Sequence, residues 1–159
     1  MLLGMSRRLK IIKMNKKLQK IQNELKAPKT NMNTFGGYKY RNVEDIMKGV
    51  KPLLDKYGCT LTLTDEVVLV GDRFYIKSMA TITDTDTGAS VSTLGWARED
   101  ESKKGMDVSQ LTGSCSSYAR KYALNGLLCI DDSKDIDSMD NTAPRRRRRV
   151  SDEKSDCPF

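Results

Sequence analysis

Residues 110–128 read QLTGSCSSYARKYALNGLL, and no other stretch of the chain says as much about the fold. At helical spacing its apolar side chains fall on one stripe, which is typical of a helix that packs on a sheet. That stripe consists of Leu111, Cys115, Tyr118, Ala119 and Tyr122. The other side carries an amide, hydroxyls and cations: Gln110, Ser114, Ser117 and Lys121, with Arg120 beside them. Such groups suit a sugar-phosphate backbone and lack the acid–base pair that catalysis needs.

Two interpretations of this polar side remain open. An ordinary amphipathic helix with a solvated face shows the same pattern. The small-residue run at residues 113–117 favours binding, because it lowers helix propensity at consecutive positions. That is easier to explain if another molecule approaches closely there.

The charge of the chain is unevenly distributed. The 159 residues carry a formal net charge of +7. Residues 1–58 hold fourteen Lys and Arg against four Asp and Glu, whereas residues 59–132 hold seven against eleven. A polyanionic partner, most commonly nucleic acid, fits this N-terminal basic excess. A solvated basic helix fits it as well.

The residue inventory argues against a zinc site, because the chain has no histidine and its four cysteines have no CxxC spacing. Cys59, Cys115 and Cys129 lie in apolar contexts and are predicted to be reduced core residues of a cytosolic protein. No secretory signal is recognisable, and no apolar run reaches the roughly 20 residues of a membrane span. These features predict a soluble cytoplasmic protein without a membrane partner.

Two helices are predicted before the middle of the chain. Residues 16–26 form an amphipathic helix, and the polar segment 29–37 is predicted to be a linker. Asn42 is a candidate N-cap for a second helix, which ends at Gly58 and is kinked by Pro52.

From Cys59 onward apolar and polar residues alternate along the chain, which predicts strands. They cover residues 59–70, 73–83 and 89–98, with turns at Gly71-Asp72 and at residues 84–88. The predicted fold class is α+β, an antiparallel β-meander packed against helices in the order α-α-β-β-β-α.

The composition shifts to Ser, Asp, Lys and Asn after Asp132, so residues 133–159 are predicted to be a disordered tail. The tail contains five arginines, residues 145–149, and an acidic tip. The chain is therefore divided into a basic N-terminal extension (1–15), a core (16–132) and this tail.

The chain lacks the motifs of phosphate-binding loops and of nucleophilic catalysis, so we expect a protein that is not an enzyme and needs no cofactor. Four carboxylates are candidate ligands for a divalent ion: Asp131, Asp132, Asp135 and Asp137. Acidic residues in this position more often only follow the end of a helix, where a flexible tail begins. The cluster at residues 84–88 faintly resembles a calcium loop, and a Thr/Asp hairpin turn explains it better.

Three segments carry a family resemblance. They read YKYRNVEDI at residues 38–46, PLLDKYG at residues 52–58, and GSCSSYARKYAL at residues 113–124, followed by Asp131 and Asp132. Together they resemble the ERF (essential recombination function) family of phage single-strand annealing proteins. The resemblance covers about residues 16–137, and its third segment is the most specific.

This resemblance implies a β-β-β-α annealing core of the Rad-fifty-two type, assembled into rings or helical filaments. It implies ATP-independent pairing of complementary strands in phage recombination and DNA repair, in the host cytoplasm. The implied partners are single-stranded DNA, further copies of the chain and a phage exonuclease. By the same resemblance, Tyr40 and Arg41 begin the second helix, and Ser117, Arg120 and Lys121 lie on the helix that lines the DNA groove.

The predicted DNA contacts are compatible with annealing, because phosphate contacts hold the backbone and leave base edges free. Tyr38 and Tyr40 would add stacking on bases. Core packing is the alternative for Tyr38, and it is the favoured interpretation for Tyr118 and Tyr122. Three further cations, Arg98, Lys103 and Lys104, bracket a loop. This loop would form part of the groove or a second, weaker DNA site; the alternative is that its cations are only solvated. The full set is Lys39, Tyr40, Arg41, Arg98, Lys103, Lys104, Gln110, Ser114, Ser117, Arg120 and Lys121.

The end of the tail resembles the acidic, Pro-Phe-ending tip of bacterial single-stranded DNA-binding proteins. Asp156, Pro158 and Phe159 would bind host proteins that recognise such tips, with the last aromatic in an apolar pocket. The neighbouring arginines would touch DNA or fold back on the tip. A solubilising end that matches by chance is the alternative.

Two other functions compete with annealing. One is a single-stranded nucleic-acid-binding module that coats without annealing, and the other is a small metal-dependent nuclease that uses the acidic cluster. Pairing of labelled complementary oligonucleotides without ATP separates annealing from coating, and magnesium-dependent cleavage would indicate the nuclease.

Overall fold

The computed structural model describes residues 6–34, 37–100, 105 and 107–130. Within them the chain forms three helices and five strands. In chain order these are α1 (Arg7–Glu24), β1 (Asn31–Asn33), β2 (Tyr38–Tyr40), α2 (Val43–Tyr57), β3 (Cys59–Val70), β4 (Arg73–Asp84), β5 (Ser90–Arg98) and α3 (Val108–Leu128). The tail, the acidic cluster from Asp131 onward and the cations Lys103 and Lys104 lie outside the described residues.

The predicted meander is confirmed. Strands β3, β4 and β5 form one antiparallel sheet in that order, with Leu63 opposite Ala80 and Ala80 opposite Thr93. Gly71 has a positive φ of 64° in the turn between β3 and β4, a conformation that glycine adopts without strain. The protein is therefore α+β, as the alternating periods predict.

The sheet has an open face and a face that the helices cover except near the β3–β4 turn, where Val67, Leu69 and Phe74 are exposed. The two faces differ because successive side chains of a strand point to opposite sides. On the covered face, buried side chains such as Ile76, Ala80 and Ile82 pack under the helices. In the described part of the chain, no helix packs on the other side. The open face consists of Thr60, Thr62, Thr64, Glu66, Val68 and Val70 of β3, Arg73, Tyr75, Lys77, Met79, Thr81 and Thr83 of β4, and Ser90, Ser92, Leu94, Trp96 and Arg98 of β5.

Helix α3 rests on the sheet through its backbone at Gly95. A Cβ atom at this position would lie 2.2 Å from the Ala119 carbonyl oxygen and 2.3 Å from the Ala123 nitrogen. The Thr93 hydroxyl donates to the Ala123 carbonyl oxygen at 2.7 Å and fixes the same contact. Only glycine permits so close an approach of a helix to a strand.

Helices α1 and α2 complete the core around the second half of α3. The fully buried side chains there include Met14, Ile21, Ile46, Val50, Leu124 and Leu127. The predicted N-cap of α2 is confirmed, because Asn42 Oδ1 accepts from the Asp45 nitrogen at 2.8 Å and Asp45 accepts from the Asn42 nitrogen. Gly58 ends the helix with a left-handed φ of 60°, as predicted.

Lys17 joins α1 to the turn after β4. Its ammonium group lies 2.6 Å from the fully buried carboxylate of Asp84 and 3.3 Å from that of Asp86. Burial raises the pKa of Asp84, but the hydrogen bonds from Lys17, the Asp86 backbone and Thr87 outweigh it and hold the pKa below its ordinary value. Residues 84–88 thus form a hairpin turn that is tied to α1 by Lys17. The described residues contain no group of acidic, His or Cys side chains that would hold a metal ion.

Two predicted boundaries are wrong. The first helix begins at Arg7 and not at residue 16. Its first turns carry the exposed apolar side chains of Leu9, Ile11 and Ile12 and extend beyond the core. A criterion based on one buried face misses such a segment. The predicted linker 29–37 contains β1, which pairs with β2 as a small hairpin, so Tyr40 lies in a strand and does not begin α2.

Cys129 corrects a further prediction. Cys59 and Cys115 are buried as predicted, but Cys129 is exposed and caps the end of α3 with a positive φ of 48°. None of the helices in the described part of the chain is both long and apolar enough to cross a bilayer.

Candidate nucleic-acid interface

A cleft lies between the N-terminal end of α2 and the outer side of α3. Its volume is about 190 Å³, and we call it the α2–α3 cleft. It brings together two predicted segments that are far apart in the sequence. Its lining residues are Tyr40, Arg41, Asn42, Val43 and Glu44 from the first segment, and Ser117, Tyr118 and Lys121 from the second.

Tyr118 lines this cleft, and Tyr122 lies one turn further along α3. Both are exposed, so the favoured prediction that they pack in the core is wrong. Their side chains are about half exposed, and their ring centroids lie 6.2 Å apart. Each tyrosine precedes an alanine, Ala119 or Ala123, that makes the buried contact with β5. One residue corresponds to about 100° of helix rotation, so the rings are turned away from the sheet.

Lys121 lies over both rings. Its Nζ atom is 4.5 Å from the ring centroid of Tyr118 and 5.6 Å from that of Tyr122. These distances are within the range of a cation–π interaction. The ammonium group and two aromatic faces therefore form one unit, which would take a phosphate and a base from the same strand.

Arg41 has a structural role in addition to lining the cleft. Only 6% of the residue is exposed, and its guanidinium donates to the carbonyl oxygen of Ala27 at 2.5 Å. This bond ties the β2–α2 junction to the segment after α1. Only the small exposed part of Arg41 that lines the cleft would contact a phosphate.

Arg120 lies on a different side of α3 from Lys121. It binds Asp65 on β3, with Nε at 2.9 Å and Nη2 at 2.8 Å from Oδ2 of the carboxylate. Ser116, one turn earlier on α3, donates to the same oxygen at 2.5 Å. Burial raises the pKa of Asp65, but the bonds from Ser116 and Arg120 outweigh it and hold the pKa below its ordinary value. The two cations that the sequence placed together thus face separate surroundings.

The remaining predicted residues are spread over the surface. Gln110 is exposed near the start of α3, and Ser114 is half-buried on the same helix. Lys39 is exposed on β2. Arg98 lies at the end of β5 on the open face, so the sheet separates it from the α2–α3 cleft.

Sequence reasoning missed Asp65 and Trp96 as candidate functional residues. Asp65 is a lone acid in an alternating strand, and nothing in the sequence pairs it with Arg120, which lies 55 residues further on. Trp96 carries a signal that could have been used, because strand alternation places it on the same face as Arg98.

Comparison with known proteins gives two matches. The family model of the ERF superfamily matches residues 14–156. The Essential recombination function protein of Salmonella phage P22 is 53% identical over 140 residues, which cover 85% of this chain and 66% of that protein. The chain thus spans just under two thirds of the length of that relative. No solved structure matches the chain.

Proposed function

The chain belongs to the ERF superfamily, and on this premise we propose that it binds single-stranded DNA and anneals complementary strands without ATP during phage recombination. The P22 relative is named for an essential recombination function, which supports a role in recombination. Strand annealing is the more specific part of the proposal, and it rests on the chemistry of the surface.

The α2–α3 cleft is the observation that carries the proposal. It combines an ammonium group, a hydroxyl and exposed aromatic rings, contributed by Lys121, Ser117, Tyr118 and Tyr40. Cations bind the phosphates of any sequence, and aromatic faces stack on any base. An annealing protein needs this kind of sequence-independent contact, because the base edges must stay available for the complementary strand.

Arg120 provides a second cation on the neighbouring side of α3. Its side chain is 42% exposed although it binds Asp65, so a phosphate has access to it. The carboxylate lowers the local positive potential, and we propose that it limits how tightly this arginine holds DNA.

Self-assembly into a ring or filament is also proposed. Within the described residues, β3 and β5 each have one edge without a partner strand. Free strand edges permit a neighbouring subunit to extend the sheet. Light scattering at micromolar concentration, with and without DNA, tests this, and a strictly monomeric mass would contradict it.

A phage exonuclease and host tip-recognising proteins are proposed as further partners. The host proteins would bind the acidic tip with Asp156, Pro158 and Phe159, which lies outside the described residues.

Pairing of two labelled complementary oligonucleotides tests the annealing function. We expect the protein to accelerate pairing without nucleotide, and we expect Lys121→Ala to slow it. Binding without acceleration would show that the protein only coats single strands. Magnesium-dependent shortening of the labelled strand would instead identify a nuclease.

A further inference from the structure

The open face of the sheet has the composition of a nucleic-acid surface. It carries three cations, Arg73, Lys77 and Arg98, against a single acid, Glu66. Hydroxyl side chains of Thr and Ser line one half of it. The remainder holds the aromatic rings of Tyr75 and Trp96 and the aliphatic side chains of Val68, Val70, Met79 and Leu94. We propose that this open face is a second binding surface for single-stranded DNA, on which unpaired bases stack against Trp96.

Trp96 is held in place by its neighbours on the face. Its ring packs edge-on against Tyr75 with 6.5 Å between centroids, and Nζ of Lys77 lies 5.8 Å from its centroid. Lys77 is fixed in turn by an ion pair of 2.9 Å with Glu66. Trp96 is nevertheless 43% exposed as a residue, so a preordered aromatic surface remains open to a base.

The charge of the face favours DNA over a second copy of the chain. A two-fold symmetric contact would place the same face on both partners, and each would bring an excess of cations. The centres of stable homodimer interfaces are apolar and poor in charge. A polyanion neutralises the cations and also gains stacking on the exposed ring.

The open face and the α2–α3 cleft lie on opposite sides of the sheet. One subunit would therefore contact single-stranded DNA at two separate surfaces. The inference rests on the proposed single-strand binding and extends it to residues outside the cleft.

The fluorescence of Trp96 gives a direct test, because it is the only tryptophan of the chain. Thymidine oligonucleotides should quench it, whereas abasic oligonucleotides of equal length and charge should not, since they offer no base to stack. Lys121→Ala should keep the quenching, because it alters only the cleft. Anisotropy of a labelled oligonucleotide measures binding independently of Trp96.

A matched pair of variants separates stacking from fold. Trp96→Leu should weaken binding roughly tenfold and leave the salt dependence unchanged, whereas Trp96→Phe should lose much less because it keeps a ring. Binding without quenching would overturn this inference and leave the proposed function intact. No binding by anisotropy would overturn both. If Trp96→Leu changed the mass measured by light scattering but not the DNA affinity, the face would be an interface between copies, and the inference would be wrong.

Discussion

Arg120 on α3 and Asp65 on β3 are joined through a single carboxylate oxygen, Oδ2, which lies 2.9 Å from Nε and 2.8 Å from Nη2 of the arginine. This contact links the helix to an edge strand of the sheet. It also places a negative charge beside a cation that we propose to meet DNA. Asp65 therefore sets how much of the positive charge of Arg120 is available to a phosphate.

Replacing Asp65 with Asn should strengthen single-strand binding. The variant leaves the full charge of Arg120 available to a phosphate, so the slope of log affinity against log salt should steepen by up to about 0.7. Asp55→Asn is a matched control, because Asp55 is exposed near the C-terminal end of α2, away from the α2–α3 cleft and the open face, and the substitution changes the net charge equally. Equal effects of the two substitutions in anisotropy titrations would refute the role of Asp65.

Replacing Lys121 with Ala should remove one phosphate contact from the α2–α3 cleft. The expected result is a salt slope that is shallower by about 0.7, measured on a single-stranded oligonucleotide. Lys56→Ala is the control, since Lys56 lies at the other end of α2 and pairs with Glu24. An unchanged slope in folded Lys121→Ala would remove the cleft from the DNA-binding surface.

Gly95→Ala should destabilise the fold, because its Cβ would collide with the backbone of α3. Overpacking of this kind costs about 1–3 kcal/mol, measured as the free energy of unfolding in urea. Gly126→Ala offers the opposite case, since its Cβ would lie 3.8 Å from Thr93 in ordinary contact. There we expect a gain of about 0.5–1 kcal/mol from higher helix propensity. Equal stabilities of the two variants would contradict the close contact at Gly95.

Acid should weaken the fold through Asp84. Its pKa is lower in the folded state than in the unfolded state. The stability that the ionised carboxylate contributes is therefore fully present above the unfolded pKa of 3.8, and it is lost as the pH falls through the folded pKa. Lys17→Met should reduce stability at neutral pH by roughly 3 kcal/mol, because the buried carboxylate loses its ion pair. As the pH falls below about 4, the free energy of unfolding of the Lys17→Met variant should decrease less than that of the unmodified chain. Urea unfolding across this pH range measures both effects, with the exposed neighbour Lys16→Met as control. Parallel pH profiles for all three proteins would refute the role of the pair.

Deleting Pro158 and Phe159 should abolish binding to host proteins that recognise the tips of single-stranded DNA-binding proteins. Annealing of naked oligonucleotides should be unaffected, because the proposed contacts lie in the core. Pull-down of the same host proteins by full-length and shortened chains would contradict the mimicry.

Local signals were sufficient for most of the secondary structure. The alternating periods of β3, β4 and β5 and the glycine at the first turn predicted the meander, and Asn42 and Gly58 predicted the ends of α2. The β1–β2 hairpin was missed because three-residue strands are too short to show a period. The start of α1 was missed because its first turns bury nothing in the core.

The sequence by itself determined α2, the three strands of the meander and α3, and it indicated that α3 carries a polar side with cations. Periodicity and capping are properties of neighbouring residues, so they are visible in the chain. The tertiary structure alone decided that Arg120 faces Asp65, that Lys121 lies over two exposed tyrosines, and that Arg41 is largely buried. A helix offers every direction around its axis, and the elements packed against it determine which side chains are covered. Those elements come from distant parts of the chain, and only folding brings them together.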